Sequence, residues 1–310
     1  MQTRTLGRTD LRVSEITLGT WGLASGSYGP VRPARVEETI REALEAGVTT
    51  FDCAPVWGDS EAQVGAVLRD AKADAVVITR GGARLVKGKL LQSFTAEALV
   101  ADCEGSLERL GREAVDVFLL HNPGDVTIRG GDWRAAIDQL EAEGKIRSWG
   151  MSVGDAEEAR LAIDAGAQVL CMTYNLLTPH GLEDVAERVS EQGVGVLARS
   201  PLMYGLLAGR WSDGRRFAED DHRERRWNLA SFEDRIRQVD ELRFLVGPDH
   251  PDLATAALRF VLSQPNVASA LVGARNPYQI GAAVDAASGP PYLSDEDVVR
   301  LAKMRDAAGI

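Results

Sequence analysis

The chain is short of the residues that mark most special environments. It has 3 cysteines in 310 residues, and Cys53, Cys103 and Cys171 show no CxxC spacing. An odd number of unpatterned cysteines argues against a disulfide framework and fits free thiols in a reducing cytoplasm. Histidine is scarce as well, at 4, and no His/Cys cluster points to a metal. Positive charge is in deficit: 35 Lys and Arg against 46 Asp and Glu leave a formal net charge of −11. Nucleic acid and anionic membrane surfaces call for a basic footprint, so neither is an expected partner. An anionic small molecule stays compatible, because a few arginines can dominate a pocket. Long hydrophobic runs are missing too. No stretch approaches the ~18 apolar residues of a membrane span, and the opening MQTRTLGRTDLRVSEI lacks the apolar segment of a secretion signal.

Alternation between short apolar runs and amphipathic stretches is what the chain has in quantity. TRTLGRTDLRVSEI reads as a hairpin, two short strands around Gly7-Arg8-Thr9-Asp10. ITLGT, from Ile16, is a first core strand. RVEETIREALEAG follows with apolar residues at helical spacing and a glycine stop. TTFDCA, AVVIT, VDVFLLH, IRSWGMS, QVLCMTY, GVGVLARS and ASALVGA continue as strands two to eight. Helical stretches between them begin near Ser60, Ala96, Asp132, Ala156 and Leu182; two more follow Ser231, and others start at Pro277 and Ser294. A charged insertion from Trp211 to Ser231 interrupts this rhythm and reads as a mobile cover or a partner surface.

Near-continuous apolar strands, each followed by a helix, imply a parallel sheet buried on both faces. Eight right-handed crossovers close such a sheet into a (β/α)8 TIM barrel, which takes roughly 250 residues. Residues 1–310 therefore read as a single α/β domain with an N-terminal β-hairpin. The alternative, an open doubly wound sheet, calls for a glycine-rich phosphate turn after the first strand. That position reads Gly19-Thr20-Trp21-Gly22, which is no GxGxxG.

Active residues of a barrel sit at the C-terminal ends of its strands. Those ends read Asp52, Arg80, His121, Ser152, Asn175, Ser200 and Gly273 with Arg275. On these residues and the segments around them, the chain resembles the aldo/keto reductase family over nearly its whole length. LGRTDLRVSEITLGTW, FDCAPVWGDSE, LLHNP, GKIRSWGMS, YNLL, SPLMYGLLAGR and VGARNPYQI carry the likeness in order, and AEDDHRERRW resembles the long loop of prokaryotic members.

The resemblance implies carbonyl reduction with NADP(H) by an Asp-Tyr-Lys-His tetrad. There the Tyr protonates the substrate oxygen, the Asp-paired Lys lowers the Tyr pKa, and the His orients the substrate. Matched by segment, the Asp is Asp52 and the His is His121, but Trp57 stands at the Tyr position and Arg80 at the Lys position. An indole N–H only donates and cannot titrate in water. A guanidinium keeps its charge, so Arg80 can pair with Asp52, even bidentately, with no phenol to tune. The ring-side contacts change as well. Ser152 is followed by Val153 where the family has Asn, Cys171 replaces a Gln, and Arg199 replaces a stacking aromatic. The phosphate side matches better: Ser200, Pro201, Leu202, Gly205 and Arg210 in the loop over the pyrophosphate, and Gly273, Arg275 and Gln279 at the adenosine 2′-phosphate. Ser152 and Asn175 complete the implied cofactor set. The family's following Glu-Asn pair is Ala282-Ala283 here.

Plainer readings stand beside these. Asp52–Arg80 can be a structural ion pair, His121 and Cys171 can be core residues, and Trp57 can be packing. Three functions follow. Loss of the proton donor together with the ring contacts favours a redox-neutral enzyme, a lyase, dehydratase or isomerase, acting on a small polar substrate. In it His121, with an ordinary pKa near ~6.5, is the acid/base. Arg80 or Arg199 holds an oxyanion or carboxylate. The alternative is an NADPH-dependent carbonyl oxidoreductase using His121 as proton donor. A non-catalytic binding or regulatory barrel is the third.

Overall fold

Residues 1–212, 214–289 and 292–308 are described by a computed structural model. β1 (Thr3–Thr5) and β2 (Arg12–Ser14) pair antiparallel. Five elements then alternate: β3 (Ile16–Gly19), α1 (Pro33–Glu45), β4 (Thr50–Asp52), α2 (Ser60–Ala71) and β5 (Val76–Gly81). A second small hairpin, β6 (Ala83–Val86) and β7 (Lys89–Gln92), stands outside the sheet. The repeat resumes with α3 (Ala96–Leu110), β8 (Val115–His121), α4 (Gly124–Gly130), α5 (Arg134–Ala142), β9 (Ile146–Ser152), α6 (Ala156–Asp164) and β10 (Val169–Thr173). It ends with α7 (His180–Glu183), α8 (Ala186–Gln192), β11 (Gly195–Arg199), α9 (Leu229–Glu241), α10 (Leu253–Ser263), β12 (Val267–Gly273), α11 (Pro277–Ala286) and α12 (Asp295–Ala308). The eight long-range strands β3, β4, β5, β8, β9, β10, β11 and β12 are all parallel and close into a barrel, β12 pairing back to β3. The (β/α)8 barrel and every one of its strands match the sequence expectation.

Alternation along the strands splits the core in two. Ile78, Val117, Leu119, Val169, Cys171 and Leu197 fill the barrel interior. Phe51, Val77, Phe118, Leu120 and Val196 face outward onto the helices. Leu6, Leu11 and Val13 of the N-terminal hairpin plug the bottom of the interior. Gly7 makes that plug possible: with φ +56, a Cβ there would lie 2.2 Å from the backbone nitrogen of Gly195. Helix starts follow ordinary capping chemistry, with Thr95, Asp155, Asp252 and Asn276 each accepting from a backbone N–H three residues on.

Three details differ from the sequence reading. The β6–β7 hairpin was not anticipated; Leu85, Val86, Leu90 and Leu91 are exposed on it. The helix over LEDVAERVSEQG is broken, because Val185 leaves helical geometry at φ −123 and turns into the core. The insertion, read from its charge as a mobile cover or a partner surface, also carries aromatic packing that the charge pattern did not suggest. Trp211, Phe217, Trp227 and Phe232 pack ring on ring, with centroids 5.2–6.3 Å apart. Arg223 binds Asp221 through two nitrogens and lies over Tyr28, Trp211 and Phe217. The backbone of His222 donates to Ser27 at 2.8 Å, locking the insertion to the segment after β3.

Candidate functional site

A groove of about 610 Å³ crosses the C-terminal mouth of the barrel. It runs from Asp52, Trp57, Arg80 and His121 to Ala282, Ala283 and Ala286 on α11. Strand pleating builds its inner end. Ile78, Leu119 and Leu197 fill the barrel, so the residues two positions on, Arg80, His121 and Arg199, point the same way one layer higher. Register places His121 beside Ser152, and Ser152 beside Cys171.

Arg80 reaches across this layer. Its Nη2 donates to Asp52 Oδ1 at 2.7 Å and to Cys171 Sγ at 3.6 Å. The bidentate pairing anticipated for Arg80 does not occur: Asp52 Oδ2 and Arg80 Nε are buried without a partner among the described residues. Burial raises the Asp52 pKa, while Arg80 and, more weakly, Arg199 pull it back. Burial alone would lower the Arg80 pKa, but Asp52 and Cys171 outweigh it and hold the guanidinium charged. The guanidinium also sits 5.0 Å from the centre of the Trp57 ring, a cation–π contact. Trp57 meets His121 edge to face, with centroids 6.1 Å apart at 90°.

His121 differs electrically from its expectation. Burial, then the charges of Arg80 and Arg199, lower its pKa from 6.5 to about 3. The imidazole is therefore neutral at neutral pH, one nitrogen a donor and the other an acceptor. Arg199 is held by one bond, Nη2 to the Val153 carbonyl at 2.9 Å, and its Nε is buried without a partner among the described residues.

The outer end of the groove is cationic and curved. Ser200, Met203, Tyr204 and Gly205 all have positive φ, so the chain turns tightly after β11. Gly205, at φ +92, packs so close to Trp211 that a Cβ would lie 3.3 Å from the indole. Six arginines line the groove, Arg80, Arg199, Arg210, Arg223, Arg226 and Arg275, against Asp52 and Asp252. On a chain of net charge −11 this is a local inversion of sign. Arg275 is first a strut: it donates to the carbonyls of Tyr28 and Gly29 at 2.8 Å each, and its own N–H donates to Gln279 Oε1.

The proposed site residues come together with one exception. Asp52, Trp57, Arg80, His121, Ser152, Arg199, Ser200, Pro201, Leu202, Gly205, Arg210, Gly273, Arg275 and Gln279 all line the groove. Asn175 does not; its amide donates to the Ser200 carbonyl and accepts from Leu177 and Thr178, which shapes the turn from behind. Ser152 lines the groove but its hydroxyl donates to Asn122 Oδ1. The sequence reading missed Trp21, Tyr28, Tyr204, Arg223 and Arg226. The two arginines lay in the RERR of the insertion, a signal of charge; the aromatics carried none.

A nicotinamide dinucleotide, which this fold and these segments imply, meets two different ends. The positive-φ turn, the arginines and the α11 N-terminus suit an anionic diphosphate and adenosine. At the ring end Val153 and Cys171 are buried and apolar in character, and Asn175 faces away, so β9 and β10 bring no side-chain amide to the groove among the described residues. Arg199 and Trp57 are the flat groups there.

Comparison with known proteins agrees with this geometry. The profile of the aldo/keto reductase family matches residues 15–306. A probable voltage-gated potassium channel subunit beta of Oryza sativa subsp. japonica is 30% identical, covering 97% of this chain and 95% of its own length. An NADH-specific methylglyoxal reductase of Escherichia coli (strain K12) is 27% identical, covering 97% and 98%. The solved glycerol dehydrogenase of Gluconobacter oxydans superposes with a TM-score of 0.85 at 27% identity, covering 98% of this chain and 95% of that one. The chain belongs to the aldo/keto reductase family.

Proposed function

We propose that the chain is an NAD(P)-dependent oxidoreductase that interconverts a small polar hydroxyl compound and its carbonyl, with His121 as the proton-transfer group. One observation carries this reading: a single groove joins His121 to the cationic turn and α11. The names of two similar proteins, a methylglyoxal reductase and a glycerol dehydrogenase, support the same chemistry. When bound, the dinucleotide supplies or accepts a hydride. The Ser200–Gly205 turn and Arg210 would hold its diphosphate, with Gly273 and Gln279 on the adenosine side.

The chain's own residues do the rest. Neutral His121 takes the hydroxyl proton as the carbonyl forms, and the protonated ring returns it in the reverse direction. Arg80 faces the developing oxyanion with a fixed charge. Asp52 positions Arg80, and the Trp57 indole walls the mouth against water.

One observation favours a redox-neutral reaction instead: Arg199 lines the inner end of the groove, while Val153 and Cys171 are buried behind it and, among the described residues, β9 and β10 offer no side-chain amide to a nicotinamide there. Calorimetric titration with NADPH and NADH separates the two. Binding at micromolar cofactor is the expected result. Absence of heat at millimolar concentrations of both would remove the oxidoreductase reading and leave the redox-neutral one.

A further inference from the structure

The charges at the inner end of the groove point to the substrate. Arg80 and Arg199 enter the mouth from β5 and β11, and both act electrostatically on Asp52 and His121. His121 is neutral at neutral pH, and Asp52 is the one carboxylate that touches either guanidinium there among the described residues. Two guanidinium charges less one carboxylate leave about one positive charge unbalanced in a mouth walled by Trp57. That excess is costly in a low dielectric unless an anion meets it. Two buried donors point the same way. Arg80 Nε and Arg199 Nε lack partners among the described residues, and buried polar atoms are normally paired.

We propose that Arg199, with Arg80 lining the same mouth, is a specificity clamp for a carboxylate carried by the substrate, so that the enzyme acts on a small hydroxy or oxo acid. The assignment rests on the oxidoreductase reading for the reaction and on the guanidinium geometry for the anion. The amount of charge selects the class of anion. A carboxylate brings one negative charge and leaves the mouth neutral. A phosphate monoester brings about 1.5 to 2 at pH 7 and overshoots. A planar carboxylate also matches the guanidinium fork. Such an anion has a chemical consequence for His121. It offsets the two positive charges that suppress protonation of the imidazole, so the ring becomes a better base once the substrate is in place.

Binding of glycolate and of its neutral amide, glycolamide, tests the clamp without turnover or cofactor. By calorimetry at fixed ionic strength, glycolate is expected to bind the wild-type protein at least about tenfold more tightly, a difference of about 1.4 kcal/mol. The preference should vanish in Arg199→Gln and be intermediate in Arg199→Lys, which keeps charge without the fork. Arg199 is partly buried and makes a single side-chain hydrogen bond among the described residues, so both variants are expected to fold. Inorganic phosphate, which should settle at the outer arginines, is expected to be unaffected by Arg199→Gln. Equal affinity for acid and amide in the wild type overturns the clamp, as does a preference that survives Arg199→Gln. Equal losses for phosphate and glycolate would make the mouth a general anion hole and overturn the carboxylate assignment. NADPH titration judges the oxidoreductase reading separately, so failure of one is not failure of the other.

Discussion

At the outer end of the groove the arginines are held by backbone carbonyls and aromatic faces: Arg275 by Tyr28 and Gly29, Arg226 by the Tyr204 ring. At the inner end Arg80 and Arg199 are packed around an aspartate and a histidine, and part of their hydrogen-bonding capacity is unmet. The outer end is a frame whose charge faces a ligand and whose shape is set by main chain. The inner end is a coupled electrostatic unit in which each charge sets the state of its neighbours. The two ends of one groove are therefore built on different principles.

Mutations should separate the two ends. The largest stability effect is expected at the inner end. Arg80→Met leaves Asp52 buried and unpaired, and loss of about 3–5 kcal/mol in urea unfolding is expected; a loss under 1 kcal/mol would show that Asp52 protonates without cost. His121→Asn should lower turnover by about 10²–10⁴-fold, as removal of a proton-transfer group does, with dinucleotide affinity unchanged. Arg210→Ala should do the opposite, weakening dinucleotide binding by about tenfold while glycolate binding stays the same. If either variant moves both readouts together, the two ends are not independent.

A smaller effect appears in acid. The folded-state pKa of His121, about 3, lies below its ordinary 6.5. The unfolded chain then binds more protons between those values, so this contribution to stability is present above pH 6.5 and is lost as pH falls toward 3. The melting temperature of the wild type should drop more steeply between pH 6.5 and 4 than that of His121→Asn. His222, lowered to about 4 by burial and Arg226, adds the same trend to both proteins and cancels in the comparison.

The barrel was legible because its strands are buried on both faces and its helices on one, which writes two periods into the sequence. The groove residues were legible because strand ends have fixed places in such a barrel. The β6–β7 hairpin was not, since Leu85, Val86, Leu90 and Leu91 are exposed apolar residues on a turn of Lys87-Gly88 and obey no burial pattern. The lock formed by Trp211, Phe217 and Trp227 was hidden for a similar reason: irregular spacing in a charged loop gives no period to read. The neutrality of His121 was out of reach in principle. It depends on burial first, then on Arg80 and Arg199, groups brought to one layer from separate strands only by closure of the barrel.

The proposed function requires that this groove take a nicotinamide dinucleotide with Arg80 and Arg199 lining its inner end. Calorimetric titration of the wild-type protein with NADPH and NADH tests it most directly. Binding of at least one of them at micromolar concentration, weakened in Arg210→Ala and retained in His121→Asn, is the predicted result. No heat from either cofactor at millimolar concentration would contradict it.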